Sequence, residues 1–200
     1  MPTEKPLTGN MRADGGALDR DAYECAGGYR ALRKALQSMT PEAVTEEVKS
    51  SNLRGRGGAG VPTGLKWTFV PKGAPHPRYL VANADEMEPG TFKDRVLLEG
   101  DPHQLIEGMA LAGYATGTDI AYIFLRGEYK VAARRIEKAI AEAYRAGYLG
   151  KDILGSGYGL ELYLHVSAGR YMCGEETGML NALEGKRANP RAKPPFRSGR

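Results

Sequence analysis

Short apolar runs alternate with amphipathic stretches over the second half of the chain. Three runs are predicted to be strands: Arg78–Ala84, Asp119–Gly127 and Leu160–Ala168. The second is nearly continuously apolar, which is typical of a buried parallel strand. Three stretches have the spacing or the capping residues of helices: Asp101–Ala115, Glu128–Tyr148 and Gly174–Gly185. This strand–helix alternation predicts an α/β fold with a parallel sheet and flanking helices.

Two further helices are predicted before the sheet. Tyr29–Met39 carries leucines at i and i+4, and Thr40 followed by Pro41 is typical of a helix start, which predicts a second helix to about Ser50. Residues 1–27 are polar and rich in Gly and Asp, so they are predicted to form a flexible arm. Residues 28–200 are then a single domain.

The composition and the net charge limit the classes of function that the chain can have. The chain has 200 residues, 42% of them apolar and 26% charged, and a net charge of +4, which suits a soluble domain with an anionic ligand. Two distant cysteines favour a reducing compartment, and no apolar run approaches the roughly 20 residues of a membrane span. The basic tail suggests nucleic-acid binding as an alternative, but no RNA-binding signature accompanies it.

The segment "RGRGGAG" is the first candidate site. Its members are Gly55, Arg56, Gly57, Gly58 and Gly60, with Lys66 following in "GLKW". The spacing matches G-x-G-x-x-G, but a helix end precedes it rather than a strand, so an ordinary dinucleotide-binding turn is not predicted. Glycines permit close approach of a ring or phosphate, and the cations suit an anion. The alternative is a flexible surface loop.

The second candidate site directly follows the first predicted strand. Asn83, Asp85, Glu86 and Glu88 cluster there, at the sheet edge where ligands of α/β folds collect. Their oxygens suit the hydroxyl groups of a ribityl or ribose chain, and equally a metal ion. The alternative is a solvated acidic turn.

The third candidate site is "GRYMCGEET", which follows the last predicted strand and opens a helix. Tyr171 suits stacking on a planar ring, and Gly174 permits close approach. Glu175 and Glu176 are explained equally well as helix-capping acids. Cys173 is interpreted as a small buried residue rather than a nucleophile, because no histidine partner lies near it in sequence.

The remaining aromatic and histidine residues give weaker signals. Trp67 and Phe69 are interpreted as core residues or as an aromatic wall for a base. His76, His103 and His165 have no metal-ligand spacing, so each is expected to be exposed or hydrogen-bonded in the fold. No catalytic triad or dyad is evident, and no metal site is predicted.

Six segments together resemble one family, the NADH-binding flavoprotein (F) subunit of respiratory complex I, an NADH–quinone oxidoreductase. They are "RGRGGAG", "GLKW", "NADEMEPGT", "RGEY", "GRYMCGEET" and "LEGKRANPRAKPPF". Their order and spacing are those of the family, and the resemblance extends from about Tyr29 to Phe196. A similar module occurs in NAD-reducing hydrogenases and NAD-dependent formate dehydrogenases, which remain alternatives. An inactive nucleotide-binding module is a further alternative.

The resemblance implies FMN bound in a Rossmann-like domain. Its implied contacts are Gly55, Arg56, Gly57, Gly58, Gly60, Lys66, Asn83, Asp85, Glu86, Tyr171, Gly174, Glu175 and Glu176. The implied NADH contacts are Val61, Phe69, Glu88, Glu176, Lys193 and Phe196. NADH would pass a hydride to the flavin, so no side-chain acid or base is required. A negative Glu88 near the ribose would favour NADH over NADPH.

Two departures from the family pattern stand out. Val61 replaces a common Phe, which predicts weaker nucleotide stacking. The family continues into a ubiquitin-like domain and a helical bundle with four cysteine ligands for a [4Fe–4S] cluster, which two cysteines cannot supply. The sequence is therefore expected to be part of a longer chain.

The resemblance also implies an assembly and a place in the cell. The expected partners are other peripheral-arm subunits of complex I, especially the small [2Fe–2S] (E) subunit, with no nucleic acid and no membrane insertion. The expected location is cytoplasmic, peripheral to the bacterial inner membrane through the complex.

Overall fold

A three-stranded parallel sheet forms the centre of the molecule. The computed structural model describes residues 5–193. The strands are β1 (Tyr79–Ala84), β2 (Ile120–Leu125) and β3 (Glu161–Val166), in the order β1-β2-β3. They pair in register, so that Ala84, Leu125 and Val166 end together at one edge. The predicted α/β class and parallel sheet are confirmed.

Helices follow each of the three strands, with one helix more than the sequence predicts. They are α5 (Lys93–Gly100), α6 (Pro102–Thr116), α7 (Lys130–Arg145) and α8 (Glu176–Leu183). Three of them were predicted, whereas α5 was not. Short 3-10 helices occupy Ile153–Gly155 and Tyr171–Gly174.

In the described part of the chain, four helices precede the sheet: α1 (Arg20–Cys25), α2 (Arg30–Ser38), α3 (Pro41–Ser50) and α4 (Thr63–Trp67). The predicted α2 and α3 are confirmed, and Thr40 Oγ1 accepts a hydrogen bond from Ala43 N at 3.2 Å, as an N-cap does. Helices α1 and α4 were not predicted. The sequence predicts a flexible arm over 1–27, but α1 forms within that range and both Leu18 and Tyr23 are buried, so the prediction is wrong for residues 18–25.

The sheet is covered on both faces near its carboxyl edge. On one face Ala121, Ile123 and Leu125 of β2 are fully buried in the main core with α6 and α7. On the other face Phe124 packs with Met179 of α8 and with Cys173. The buried position of Cys173 confirms its interpretation as a packing residue. This covering fixes the strand ends that carry the candidate site.

A carboxylate from α6 organises the N-terminal helices. Tyr29 is the N-cap of α2 with φ of 58° and has no side-chain cap of its own. Glu107 accepts hydrogen bonds from Tyr29 N at 2.8 Å, from Leu32 N at 3.0 Å and from the Tyr23 hydroxyl at 2.6 Å. Beside it, buried His103 lies between the Tyr29 hydroxyl and Glu142. The expectation that His103 is hydrogen-bonded is confirmed.

Candidate functional site

A cavity of about 700 Å³ opens at the carboxyl edge of the sheet. It is formed by the glycine-rich loop, the segment after β1 and the 3-10 helix before α8. Its lining residues are Arg56, Gly57, Gly58, Asn83, Asp85, Glu86, Met87, Glu88, Thr91, Lys93, Asp94, Tyr171, Met172, Gly174 and Glu175. The three candidate sites of the sequence analysis therefore meet at one cavity.

The glycine-rich loop is closed at its base by backbone hydrogen bonds. Gly55 N donates to Val61 O at 2.9 Å, and Thr63 N donates to Leu53 O at 2.8 Å. The loop lies between helices α3 and α4, which confirms that it is not an ordinary strand-to-helix dinucleotide turn. Gly58 has a φ of 114°, a conformation that favours glycine.

The presence of a glycine at position 57 is not explained by backbone conformation. Its φ is not positive, and a Cβ built there would meet no atom of the described residues within 4 Å. Nothing within residues 5–193 therefore requires a glycine at this position. Because Gly57 lines the cavity, the missing side chain leaves room for an external group.

Asn83 ties the end of β1 to the turn before α8. Its Nδ2 donates to Gly174 O at 2.8 Å, and its Oδ1 accepts from Asp85 N at 3.2 Å. A Cβ on Gly174 would lie 3.1 Å from Asp85 O, so this close approach favours glycine. Asn83 and Gly174 thus fix the two walls of the cavity relative to each other.

Asp85 is the most unusual polar group of the cavity. Its side chain is buried, and Oδ1 accepts a hydrogen bond from Ser167 Oγ at 2.9 Å. Oδ2 is also buried and has no hydrogen-bond partner among the described residues. Burial raises the pKa of the Asp85 carboxyl, although the Ser167 hydrogen bond acts in the opposite direction.

Glu86, by contrast, is fully engaged by the protein. Oε1 accepts from Asp94 N at 2.9 Å, and Oε2 accepts from Arg95 N at 3.2 Å and from the Tyr129 hydroxyl at 2.9 Å. Burial alone would raise the pKa of Glu86, but these donors and nearby Lys93 outweigh it, so the pKa is lowered. Glu86 therefore caps the N-terminus of α5 while it lines the cavity.

Glu88 and Tyr171 meet at the mouth of the cavity. The Tyr171 hydroxyl donates to Glu88 Oε2 at 2.5 Å, and the Tyr171 residue is 58% exposed. The hydrogen bond raises the pKa of the Tyr171 hydroxyl. The two side chains come from different walls, so this contact bridges the opening.

Glu175 and Glu176 differ in their surroundings. Glu175 Oε2 accepts from Thr177 N at 2.9 Å and Gly178 N at 2.8 Å, which confirms the helix-capping interpretation. Its pKa is lowered, first by the Thr177 hydroxyl and then by these backbone donors. Glu176 lies outside the cavity lining and accepts a hydrogen bond from Lys193 Nζ at 2.7 Å.

Several predicted contact residues lie away from the cavity lining, and the structure does not bring them into it. They are Gly55, Gly60, Val61, Lys66, Phe69, Glu176 and Lys193. Phe69 is 57% exposed, so it is not a core residue. Phe196 lies outside the described residues.

The cavity also has lining residues that the sequence analysis did not single out: Met87, Thr91, Lys93, Asp94 and Met172. Met87, Thr91 and Met172 lie within two of the candidate segments, and Lys93 and Asp94 follow shortly after one of them. Lys93 adds a cation to the cavity beside Arg56, although it is paired with Asp94 at 2.8 Å. Anionic and cationic groups thus share the lining.

The described residues include no cluster of three or more His, Cys, Asp or Glu side chains suited to a metal ion. The carboxylates after β1 are spread among different donors, as shown for Asp85 and Glu86. The metal interpretation of this segment therefore has no geometric support. Separately, none of the described helices has the length and apolar character needed to cross a bilayer.

Comparison with known protein families gives a match over most of the chain. Residues 48–200 match the Nuo51 FMN-binding domain. Two curated relatives are the F 2 subunit of the NADH-quinone oxidoreductase of Rhizobium meliloti, 64% identical over 87% of this chain, and the F subunit of the same enzyme of Escherichia coli, 53% identical over 98% of it. The matched regions are 41% and 44% of those proteins, so the chain spans less than half their length.

A solved structure is similar as well. The crystal structure of an NAD+-reducing [NiFe]-hydrogenase in the H2-reduced state matches with a TM-score of 0.70 and 39% sequence identity. The match covers 82% of this chain and 29% of the hydrogenase chain. The fold described above is therefore shared with a chain of that enzyme.

Proposed function

Because the chain belongs to the Nuo51 FMN-binding family, we propose that it binds FMN in the cavity at the carboxyl edge of the sheet and serves there in the oxidation of NADH. The observation that carries the proposal is the meeting of three sequence segments around one cavity with a buried carboxylate oxygen that has no partner in the described part of the chain. As the chain is less than half the length of its relatives, the activity is proposed for the larger protein of which this domain is a part.

The cavity residues fit FMN in size and chemistry. About 700 Å³ lies within the range of about 300–1,000 Å³ that is usual for small-molecule sites. Asp85 Oδ2 is an acceptor in need of a donor, and a ribityl chain carries hydroxyl donors. Gly57 and Gly58 present bare backbone to the cavity, which suits a flat ring.

We assign the following roles to the lining. Arg56 has no ion pair among the described residues and is suited to the phosphate, with Lys66 of α4 as a second cation. Tyr171 is suited to stacking, while Asn83 and Gly174 hold the walls. Gly55, Gly60 and Glu176 remain proposed contacts that lie outside the lining.

NADH is proposed to enter from the exposed side of the glycine-rich loop. Val61 and Phe69 are exposed there and offer apolar surface to the nucleotide. Glu88 lies at the mouth, where its negative charge would repel a 2′-phosphate and so favour NADH over NADPH. Lys193, at present paired with Glu176, is a proposed further contact.

When bound, FMN supplies chemistry that takes up a hydride and gives up electrons singly. The chain's own residues bind and orient the two reactants, and no side-chain acid or base is assigned. Two of the cavity's carboxylates, Glu86 and Glu175, are engaged by helix termini, which agrees with this division.

For the whole protein we propose a subunit of an NADH–quinone oxidoreductase that passes electrons to an iron–sulfur chain. Its partners would be other peripheral-arm subunits, including the small [2Fe–2S] (E) subunit, with the [4Fe–4S] ligands outside this chain. We propose a cytoplasmic location, peripheral to the inner membrane, without nucleic-acid binding. The similarity to the F subunits of Rhizobium meliloti and Escherichia coli supports this assignment.

A diaphorase subunit of an NAD-reducing hydrogenase is the second candidate, with a formate dehydrogenase subunit as a variant of it. The structural similarity to the NAD+-reducing [NiFe]-hydrogenase favours it. The two candidates share the flavin site and differ in the electron acceptor. Reduction of a quinone analogue by the complex isolated from its host, without hydrogenase activity, would separate them.

The proposal is tested by titrating FMN into the purified chain and following the quenching of flavin fluorescence. NADH is then added without oxygen, and bleaching of the flavin band near ~450 nm is recorded. Saturable quenching followed by bleaching supports the proposed function. Quenching without bleaching supports an inactive binding module, and absence of quenching overturns FMN binding by this chain.

A further inference from the structure

Residues directly after each of the three strands converge at Ser167. Ser167 follows β3, and its N–H donates to Leu125 O of β2 at 2.8 Å. Gly127, two residues after β2, approaches so closely that a Cβ on it would lie 2.4 Å from Ser167 O. Asp85 follows β1 and reaches Ser167 through its side chain. Ser167 is thus held by backbone contacts that do not depend on its hydroxyl.

The Ser167 hydroxyl has a defined direction. Its oxygen accepts a hydrogen bond from Gly169 N at 3.3 Å, and its single hydrogen is donated to Asp85 Oδ1 at 2.9 Å. Both Ser167 and Asp85 are more than nine-tenths buried. The pair is therefore shielded from water, which strengthens the interaction.

The second oxygen of Asp85 is left for another donor. Oδ2 is buried without a partner among residues 5–193, and Asp85 lines the cavity. Arg126 is the cation that acts on Asp85, but its NH1 donates to Glu86 O at 2.6 Å and its Nε to Glu128 at 3.0 Å. A buried acceptor without a donor is costly, so this oxygen is suited to a ligand group.

We infer that Ser167 is a positioning residue for the flavin nucleotide: its hydroxyl holds one oxygen of Asp85 so that the other accepts a hydrogen bond from a ribityl hydroxyl. This inference rests on the proposed function and deepens it. It adds a residue outside the six family-like segments and specifies which part of the ligand the pair recognises.

The experiment compares Ser167→Ala with the unsubstituted chain in titrations of FMN, riboflavin and lumiflavin. Riboflavin and lumiflavin have the same ring system, but only riboflavin carries the ribityl chain. The Ala variant should weaken FMN and riboflavin binding about tenfold, the size expected for one hydrogen bond to a carboxylate. Lumiflavin binding should change less than about twofold, because it has no ribityl hydroxyl to lose.

Two further variants make the test specific. Ser156→Ala is the matched control, because the Ser156 hydroxyl likewise donates one hydrogen bond, here to a backbone oxygen (Ile153 O, 2.7 Å), and accepts one from a backbone N–H, but Ser156 lies outside the cavity lining. It should leave all three affinities unchanged. Ser167→Cys keeps nearly the same shape with a weaker donor and should give an intermediate loss, which preserves the test if the Ala variant does not fold.

A pH profile separates positioning from mere packing. The groups acting on Asp85 are the Ser167 hydroxyl, Glu128 and Arg126. The Ser167 hydrogen bond favours the ionised form of Asp85. Its removal should therefore make the acid-side decrease in FMN affinity (the acid limb of the pH profile) occur at a higher pH. A purely structural role would lower affinity for all three ligands without moving this limb.

The outcomes separate a failure of the Ser167 inference from a failure of the proposed FMN binding. Equal losses for riboflavin and lumiflavin, or no loss in Ser167→Ala, overturn the inference while FMN binding by the unsubstituted chain stands. Lack of FMN binding by the unsubstituted chain overturns the proposed function and this inference with it. A selective loss for the ribityl-bearing ligands supports both.

Discussion

Glu107 Oε2 lies 2.8 Å from the backbone nitrogen of Tyr29, so a side chain of α6 caps a helix that begins 78 residues earlier in the chain. The contact replaces a local cap that the α2 sequence does not provide. It also joins the N-terminal helices to α6 through a buried carboxyl group with three donors.

Replacement of Glu107 by Gln should lower the free energy of unfolding by about 2 kcal/mol, because the amide cannot accept at both former oxygen positions and leaves buried donors unpaired. Urea denaturation followed by circular dichroism measures the change. Glu137→Gln on the exposed face of α7 is the control and should change stability by less than about 0.5 kcal/mol. Equal stability of the two variants would contradict the capping role.

Gly57 and Gly64 should respond in opposite ways to alanine. A Cβ on Gly64 would lie 2.5 Å from Lys49 N, so Gly64→Ala should lose roughly 1–3 kcal/mol of stability through crowding. Gly57→Ala should keep full stability but weaken FMN binding at least tenfold, since its side chain would enter the cavity. Thermal unfolding and FMN titration of both variants test the pair. Unchanged FMN binding in Gly57→Ala would remove the ligand explanation for this glycine.

Val61→Phe should lower the Michaelis constant for NADH about fivefold, because a stacked ring contributes about 1 kcal/mol. Val61 is 39% exposed beside the glycine-rich loop, so the larger side chain has room. Steady-state oxidation of NADH with an artificial acceptor measures the effect. Val131→Phe on α7 is the same change at 38% exposure and should have no effect. A Michaelis constant that stays the same or rises argues against nucleotide stacking at Val61.

Glu86 should make stability depend on pH in the acid range. Its pKa is lowered in the folded state, so its contribution is complete above the unfolded value of about 4.3 and disappears as pH falls through the folded value. Glu86→Gln should therefore be less stable than the unsubstituted chain above about pH 5, and the difference should shrink towards low pH. Unfolding at a series of pH values measures this. A difference that is constant with pH would show that the charge of Glu86 is not what stabilises α5.

Local signals predicted those helices that show apolar residues at helical spacing or residues suited to capping. Helix α3 begins where Thr40 and Pro41 predict it, since Thr40 itself caps the helix. Helix α5 was missed because its N-cap, Phe92, has no capping side chain and the capping carboxylate is Glu86, seven residues before the helix. Helix α1 was missed because it has six residues and buries only Tyr23. A local sequence pattern does not show contacts between residues that are distant in the sequence.

The same limit applies to the candidate site. The sequence brought out the three segments that meet at the cavity, since strand ends and glycines are visible in it. It could not show that Glu86 and Glu175 accept hydrogen bonds from helix termini, whereas one oxygen of Asp85 has no donor among residues 5–193. Nor could it single out Ser167, because a serine after a strand has meaning only when its partner across the sheet is known.

The capping of α2 by Glu107 has a consequence for synthesis on the ribosome. The helix leaves the ribosome 78 residues before the carboxylate that completes its N-terminus. At about 5–20 residues per second, that interval lasts roughly 4–16 s. During this time α2 has neither its cap nor the sheet layer to pack against, so its final docking takes place only after α6 has left the ribosome.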